Sequence, residues 1–196
     1  MKHIIIESGD QLGKNTIIEG LSKYYNYDNI IIRHFSKPPI TLSDNESILK
    51  FQKKCFLKEG KLIETISKLE EDPYNYYENI VIWNRSIHGE YVYSQMFRGQ
   101  EPKKIENYIN NFEEIYLTNN KQTYFILLTA DPEFFLDQED GKSFSKNIDQ
   151  KTKELKLFDE IFDKSILTNK LKIKVNNKNK FIDKEIILNN VLNFIK

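Results

Sequence analysis

The sequence predicts an α/β fold in which a parallel sheet is flanked by helices, and three observations lead to it. Five short runs rich in isoleucine, valine and aromatic residues, at 3–8, 29–34, 79–83, 123–129 and 171–175, alternate with segments of helical periodicity. Three of them, Ile30-Ile31-Ile32, Ile80-Val81-Ile82 and Phe125-Ile126-Leu127-Leu128, are almost continuously apolar. That is the pattern of strands covered on both faces. The first run also passes straight into a glycine-containing loop and then a helix, which places functional loops at the C-terminal ends of the strands.

The first strand leads into Glu7-Ser8-Gly9-Asp10-Gln11-Leu12-Gly13-Lys14-Asn15-Thr16. A phosphate-binding loop asks for Gly, four residues, Gly-Lys and then Ser or Thr. Here Ser8 takes the first glycine position and Asn15 the hydroxyl position. Gly9 and Gly13 supply the backbone freedom that turns N–H groups inward, and Gln11, Leu12, Asn15 and Thr16 complete the cradle. Lys14 reaches the β- and γ-phosphates, and the following helix aims its positive end at the same anion. In that helix Ile17, Ile18, Leu21, Tyr24 and Tyr25 share one face, while Ser22, Lys23 and Asn26 face water.

The second strand ends in Arg33-His34-Phe35-Ser36-Lys37-Pro38-Pro39. A long helix then runs from Ser43 or Asp44 to about Leu69, with Ile48, Phe51, Cys55, Leu62, Ile66 and Leu69 as its buried stripe and Gly60 as a kink or break. After the third strand polar residues crowd Trp83-Asn84-Arg85-Ser86-Ile87-His88-Gly89-Glu90. This strand terminates beside a phosphate loop, so Arg85 faces a second phosphate, that of the acceptor; the competing reading is an N-terminal turn with a solvated face. Helices are expected at 86–99 and 104–118, separated near Pro102, and at 149–166 and 183–195. Residues 137–147 read as a mobile loop. The six lysines between positions 170 and 184 interleave with apolar residues as a strand and turn with a solvated face.

A chain of 196 residues is long enough for one domain with one core. Lys plus Arg and Asp plus Glu each number 29, so no net field draws the protein to nucleic acid or membrane. No apolar stretch is long enough to span a bilayer and no secretory leader is evident, which reads as cytoplasmic. The single cysteine, Cys55, forms no intramolecular disulfide and reads as helix packing. Only Arg33, Arg85 and Arg98 carry a guanidinium, the group whose planar fork fits phosphate.

The loop from Glu7 to Thr16 and the Asn84-Arg85 pair resemble the thymidylate kinase-like branch of nucleoside monophosphate kinases, including phage-type deoxynucleotide kinases. The family pattern Glu-Gly-x-Asp-x-x-Gly-Lys-Ser-Thr is matched with Ser8 and Asn15 as departures, and its Asp-Arg motif with Asn84 as a departure. Arg98-Gly99 is similar to the family's Arg-Gly after an aromatic-rich helix. The resemblance implies a three-layer P-loop NTPase fold, a five-stranded parallel sheet and a short lid at about 137–147, in one domain spanning 1–196. It implies ATP and Mg²⁺ as cofactors, a deoxynucleoside monophosphate as substrate, and a homodimer in the cytoplasm, the host's for a phage- or virus-encoded chain. Lys14, Arg85 and Arg98 take catalytic roles and Lys142 a lid contact to the donor. Asp10, Phe35, Phe51, Gln52, Arg85, Glu90 and Arg98 form the acceptor site, with Asp10 on the sugar 3′-hydroxyl. Phe51 and Phe35 each have a second reading as core, and whether Arg33 or His34 faces the acceptor phosphate depends on a one-residue shift.

Phosphoryl transfer needs positioning and charge neutralisation. Asn15 offers an amide oxygen on the metal side where a hydroxyl is usual, Asn84 removes an anionic group, and residues 137–146 contain no arginine, leaving Lys142 and Lys146 as lid cations. The leading expectation is ATP-dependent phosphorylation of a deoxynucleoside monophosphate, dTMP or a modified relative. The alternatives are a nucleoside or polynucleotide kinase of the same fold, and a nucleotide-binding protein without efficient catalysis. The donor base is expected near residues 176–179, which offer amides.

Overall fold

The computed structural model describes residues 1–26, 30–35, 38, 41–42, 44–70, 79–118 and 122–196. Asn29 and Ser43, expected to open a strand and a helix, and Ser36, Lys37 and Pro39 after the second strand lie outside the described residues. The elements are β1 (Lys2–Glu7), α1 (Lys14–Tyr24), β2 (Ile30–His34), α2 (Asn45–Glu70), β3 (Ile80–Asn84), α3 (His88–Phe97) and α4 (Pro102–Phe112). They continue as a π-helical turn (Glu113–Leu117), β4 (Thr123–Thr129), α5 (Pro132–Asp137), α6 (Ile148–Lys164), β5 (Asn169–Lys174), β6 (Asn176–Asn177), β7 (Lys180–Phe181) and α7 (Lys184–Ile195).

Strands β1 to β5 form one parallel sheet in the order β2-β3-β1-β4-β5, and β6 pairs antiparallel with β7. Alternation along β1 feeds two cores. Ile4 and Ile6 pack with α1 and α7 on one face, while Ile5 packs with Trp83, Phe125 and residues of α2, α3, α4 and α6 on the other. Each such aliphatic side chain stabilises the fold by about 1.5–3 kcal/mol on burial. The order in which strands are added across the sheet reverses at β1, whose neighbours are β3 and β4, so the loop after Glu7 opens into the crevice at that switch point. The register places Ile6 beside Asn84 and His34 beside Asn84, gathering three strand ends there. Among the described residues no helix is long and apolar enough to cross a membrane.

Several local expectations change. In α1, Ser22 is buried and its hydroxyl donates to Ile18 O at 2.9 Å, whereas Tyr24 is exposed. The local back-bond removes the hydroxyl's need for water. Helix α2 runs unbroken through Gly60, where a Cβ would meet the Tyr116 ring at 2.3 Å; this glycine permits close packing rather than marking a break. The buried face of α2 is turned slightly from the expected stripe: Ile48, Gln52, Phe56, Ile63 and Ile66 are buried, and Leu69 is exposed. Ile32, in edge strand β2, is 51% exposed instead of covered on both faces. Helix α5 went unpredicted, although Asp131, Pro132 and Glu133 carry a recognisable start signal.

Candidate active site

The loop after β1 is held by its own atoms. Lys14 Nζ donates to Ser8 O at 2.9 Å, Ser8 Oγ at 2.7 Å and Gly9 O at 3.1 Å, and Ser8 Oγ donates to Gly9 O at 2.6 Å. Ser8 in the glycine position therefore adds a hydroxyl to the lysine's surroundings. A Cβ at Gly9 would lie 2.3 Å from the Phe135 ring, so contact with α5 demands glycine there. Gln11 and Gly13 both take left-handed backbone, with φ 65 and 86. Gly13 caps α1 without a side chain, leaving the first-turn N–H groups available to an anion. Burial, reinforced by the Arg85 charge, lowers the Lys14 pKa to about 8 against the pull of Glu7, Asp10 and Glu154.

Arg85, at the end of β3, also has left-handed φ (65) and forms an ion pair with Asp10. Such a conformation in a residue with a side chain stores about 1–3 kcal/mol of strain, offset by the surrounding contacts. His34, Asn84 and Arg85 meet Asp10, Gln11, Gly13, Lys14, Asn15, Thr16 and Phe181 around one polar cavity of 380 Å³. On β2 the two candidates part. His34 lines the cavity, and its pKa is lowered by burial, then by Arg85 and Lys14. Arg33 turns to α2, where Nε and Nη2 bind both oxygens of Glu59 at 3.0 and 2.5 Å.

An adjoining apolar cavity of 370 Å³ shares Gly13, Thr16 and Phe181 with the first and is lined by Leu12, Ile17, Val175, Ile182 and Ile187 among others. The amides at 176–179, expected to serve the donor base, do not line it. Asn176 is instead buried, accepting from Asp131 N at 3.0 Å and donating to Asp131 Oδ2 at 2.9 Å, which ties β6 to the start of α5.

The other expected acceptor residues divide. Gln52 Nε2 donates to Glu90 Oε2 at 2.9 Å, and Arg98 forms an ion pair with the same carboxylate. Burial raises the Glu90 pKa to about 7 even though Arg98 pulls it down. Gln52 Oε1, Ser94 Oγ and Arg98 Nε are buried without a partner among the described residues. Phe35 stacks against Phe56 with ring centroids 5.0 Å apart and packs on the core, while Phe51 is half-buried on α2. Neither Phe51, Gln52, Glu90 nor Arg98 borders the polar cavity.

Beneath α3 runs a continuous buried chain that the sequence did not reveal. Glu7 Oε1 accepts from Ser86 N at 2.5 Å and Ser86 Oγ at 2.7 Å. Ser86 Oγ lies 2.6 Å from His88 Nδ1, and His88 Nε2 lies 2.7 Å from Glu113 Oε1. Glu113 also accepts from Ser165 Oγ at 2.6 Å and Ile166 N at 2.9 Å. Burial alone would raise the Glu113 pKa, but the bonds from His88, Ser165 and Ile166 outweigh it and hold the carboxyl below its usual range.

Segment 137–147 is tied down at several points. Glu139 bonds Lys151 at 2.8 Å and Lys146 at 3.2 Å, and despite desolvation these lysines lower its pKa to about 2. Lys146 also donates to Gly141 O at 2.7 Å, Asp140 accepts from Gln11 Nε2 at 2.8 Å, and Phe144 packs on Tyr93 and Phe97. Ser145 and Tyr93 both donate to buried Glu154. Lys142 is exposed.

The fold class implies Mg²⁺ beside donor phosphates, and the residues here can be tested for it. Asn15 Oδ1 already accepts a hydrogen bond from Asn84 Nδ2 at 2.9 Å, and Asp10 is paired with Arg85. Among the described residues no three His, Cys, Asp or Glu side chains are grouped to hold a metal. Two neutral amides do not fit Mg²⁺ ligated directly by the protein, which favours hard, usually anionic, oxygens.

No family model matches this sequence, and no curated protein matches it. Solved structures match its fold over nearly the whole chain. The YorR protein of Bacillus subtilis, in complex with phosphorylated GDP, has a TM-score of 0.60 at 19% identity, covering 99% of this chain and 95% of that one. Thymidylate kinase from Ehrlichia chaffeensis gives 0.55 at 17% identity, covering 100% and 98%. Deoxyadenosine kinase from M. mycoides, with products dCMP and dCDP bound, gives 0.55 at 13% identity, covering 97% of each chain. The chain thus has the α/β fold of P-loop nucleotide kinases, a parallel five-stranded sheet flanked by helices.

Proposed function

We propose that this protein transfers a phosphoryl group from ATP to a deoxynucleoside monophosphate, dTMP or a related or modified nucleotide, as a thymidylate kinase-like enzyme. The observation that carries the reading is the single 380 Å³ cavity in which Lys14, Arg85 and Asp10 converge from the ends of two adjacent strands. Lys14 and the first-turn N–H groups of α1 hold the donor phosphates. Arg85 holds the acceptor phosphate, and Asp10, released from Arg85, accepts from the sugar hydroxyl. The apolar cavity beside Phe181 receives the donor base. Gln52, Glu90 and Arg98 form the far wall of the acceptor site, where the unpartnered Gln52 Oε1 and Arg98 Nε meet the base or sugar. Residues 137–147 act as the lid, Lys142 being the cation free to reach the donor, since Lys146 is engaged by Glu139 and Gly141. Cytoplasmic residence and a homodimer belong to the same reading.

The test is incubation of the purified protein with ATP and each nucleoside and nucleoside monophosphate in turn, following ADP and the phosphorylated product. Diphosphate from one deoxynucleotide supports the proposal. Product only from nucleosides, or only from oligonucleotides, transfers it to another kinase class. Lys14→Ala and Arg85→Ala should each lower turnover by about 10²–10³-fold, as loss of a preorganised charge at the transferring group does; near-normal rates in either would sink the site assignment. A second reading, a nucleotide-binding protein with little turnover, is favoured by the Asn15–Asn84 contact. ATP binding with every acceptor unchanged would establish it.

A further inference from the structure

The two positions that depart most from the phosphate-site pattern, Asn15 and Asn84, are 69 residues apart in sequence and touch in the structure. Asn15 stands in the first turn of α1, one residue after Lys14, and Asn84 ends β3 beside Ile6 of β1. In the usual arrangement a hydroxyl at the first position ligates the metal and a carboxylate at the second, here at the end of β3, supports it. Here Asn84 Nδ2 donates to Asn15 Oδ1 at 2.9 Å. Asn84 thereby takes one of the two acceptor positions of the Asn15 oxygen, which stands where the usual motif has a metal-binding hydroxyl. An amide whose oxygen is engaged presents its NH₂, and NH₂ is complementary to a phosphate oxygen, not to a metal ion.

The surrounding charge points the same way. The cations on this cavity are Lys14 and Arg85, and its carboxylate, Asp10, is paired with Arg85. Replacing both the hydroxyl and the carboxylate by amides leaves that corner neutral. Thr16 supplies the next hydroxyl, but one residue further along α1 it is turned by about 100° from Asn15, and it also lines the apolar cavity.

We propose that the donor corner binds nucleoside triphosphate without a divalent cation ligated by the protein, the Asn15–Asn84 amide pair serving as a hydrogen-bonding contact to phosphate in place of the metal's protein ligands. Any Mg²⁺ in the complex then rides on phosphate oxygens and water alone. This inference rests on the reading of the loop as the site of donor phosphates.

The experiment is calorimetric titration of the full-length protein with ATP, once with excess Mg²⁺ and once with EDTA. The two dissociation constants should agree within about threefold, under about 1 kcal/mol. The double variant Asn15→Ser/Asn84→Asp, shown to be folded by its melting curve, restores hydroxyl and carboxylate and should bind ATP at least about tenfold more tightly with Mg²⁺ than with EDTA. Wild-type binding that weakens tenfold or more in EDTA overturns the proposal and leaves the phosphate-site reading standing. A double variant as indifferent to Mg²⁺ as the wild type overturns the assignment to this pair. Failure of ATP to bind in either buffer removes the phosphate-site reading and the proposal together.

Discussion

The two sides of helix α3 bury carboxylates to the same degree and treat them in opposite ways. On one side Glu113 receives His88, Ser165 and the Ile166 N–H, and its pKa falls. On the other, two residues along from His88, Glu90 receives Gln52 and Arg98, and burial still lifts its pKa to about 7. The difference lies in completeness. At the Glu113 end both carboxylate oxygens and both His88 ring nitrogens are engaged, although at the β1 end of the chain Glu7 Oε2 is buried without a partner; around Glu90 an amide oxygen, a hydroxyl and a guanidinium nitrogen remain without partners among the described residues. Buried polar groups left incomplete in this way are costly unless something else completes them. The Glu113 side therefore reads as a structural brace that fixes the start of α3 under the loop after β1, and the Glu90 side as a cluster whose polar groups are left incomplete.

The largest test of this contrast is Glu113→Ala. It strands His88, Ser165 and the Ile166 N–H in a dry interior and should lower stability by about 3–5 kcal/mol in urea denaturation, the range for removing one partner of a buried pair. A loss under about 1 kcal/mol would mean that the chain is not a brace. The second test is pH dependence, where the two sides have opposite signs. Glu90 has a raised folded-state pKa, so its contribution is fully present below its unfolded value of about 4.5 and is lost as pH rises through about 7. Glu113 has a depressed pKa, so its contribution is present above its unfolded value and lost as pH falls through the folded one. Stability of Glu90→Gln measured from pH 4 to pH 8 should therefore lack part of the wild-type decline above pH 5; an unchanged profile would remove Glu90 from the account. The smallest effect belongs to Ser165→Ala, which withdraws one of several donors from Glu113 and should cost about 1 kcal/mol, with nucleotide binding unaltered.

The sequence was most informative where the relevant residues are contiguous. Gly9, Gly13 and Lys14 lie within a few positions of one another, and their conformation follows from local backbone geometry, so the shape of the loop and the strand–helix order of the sheet were legible. The brace was invisible because its links span 79, 25 and 52 residues and exist only once β1, α3, the π-helical turn and the end of α6 are packed. Gly60 misled for a related reason: a glycine in a helix reads as a break when the Tyr116 ring that needs the space is more than fifty residues away. The face of β2 was undecidable because Arg33 and His34 are both suitable phosphate ligands, and only Glu59 on α2 shows which of them is already engaged. Helix α5 was a different failure, since its start signal stands in the sequence and its six residues are too few to show a period.

The contacts of Lys14 bear on which anions this loop accepts. Its ammonium already has three oxygen partners in Ser8 O, Ser8 Oγ and Gly9 O. An arriving anion therefore competes with the protein's own oxygens, and binding is an exchange of ligands around the nitrogen. On the proposed reading of the loop as the donor-phosphate site, a singly charged or weakly basic anion offers little beyond what the loop supplies, whereas a multiply charged phosphate chain also reaches the helix N–H groups. On that reading the three intraloop oxygens around Lys14 set a threshold of charge density that an incoming anion has to exceed.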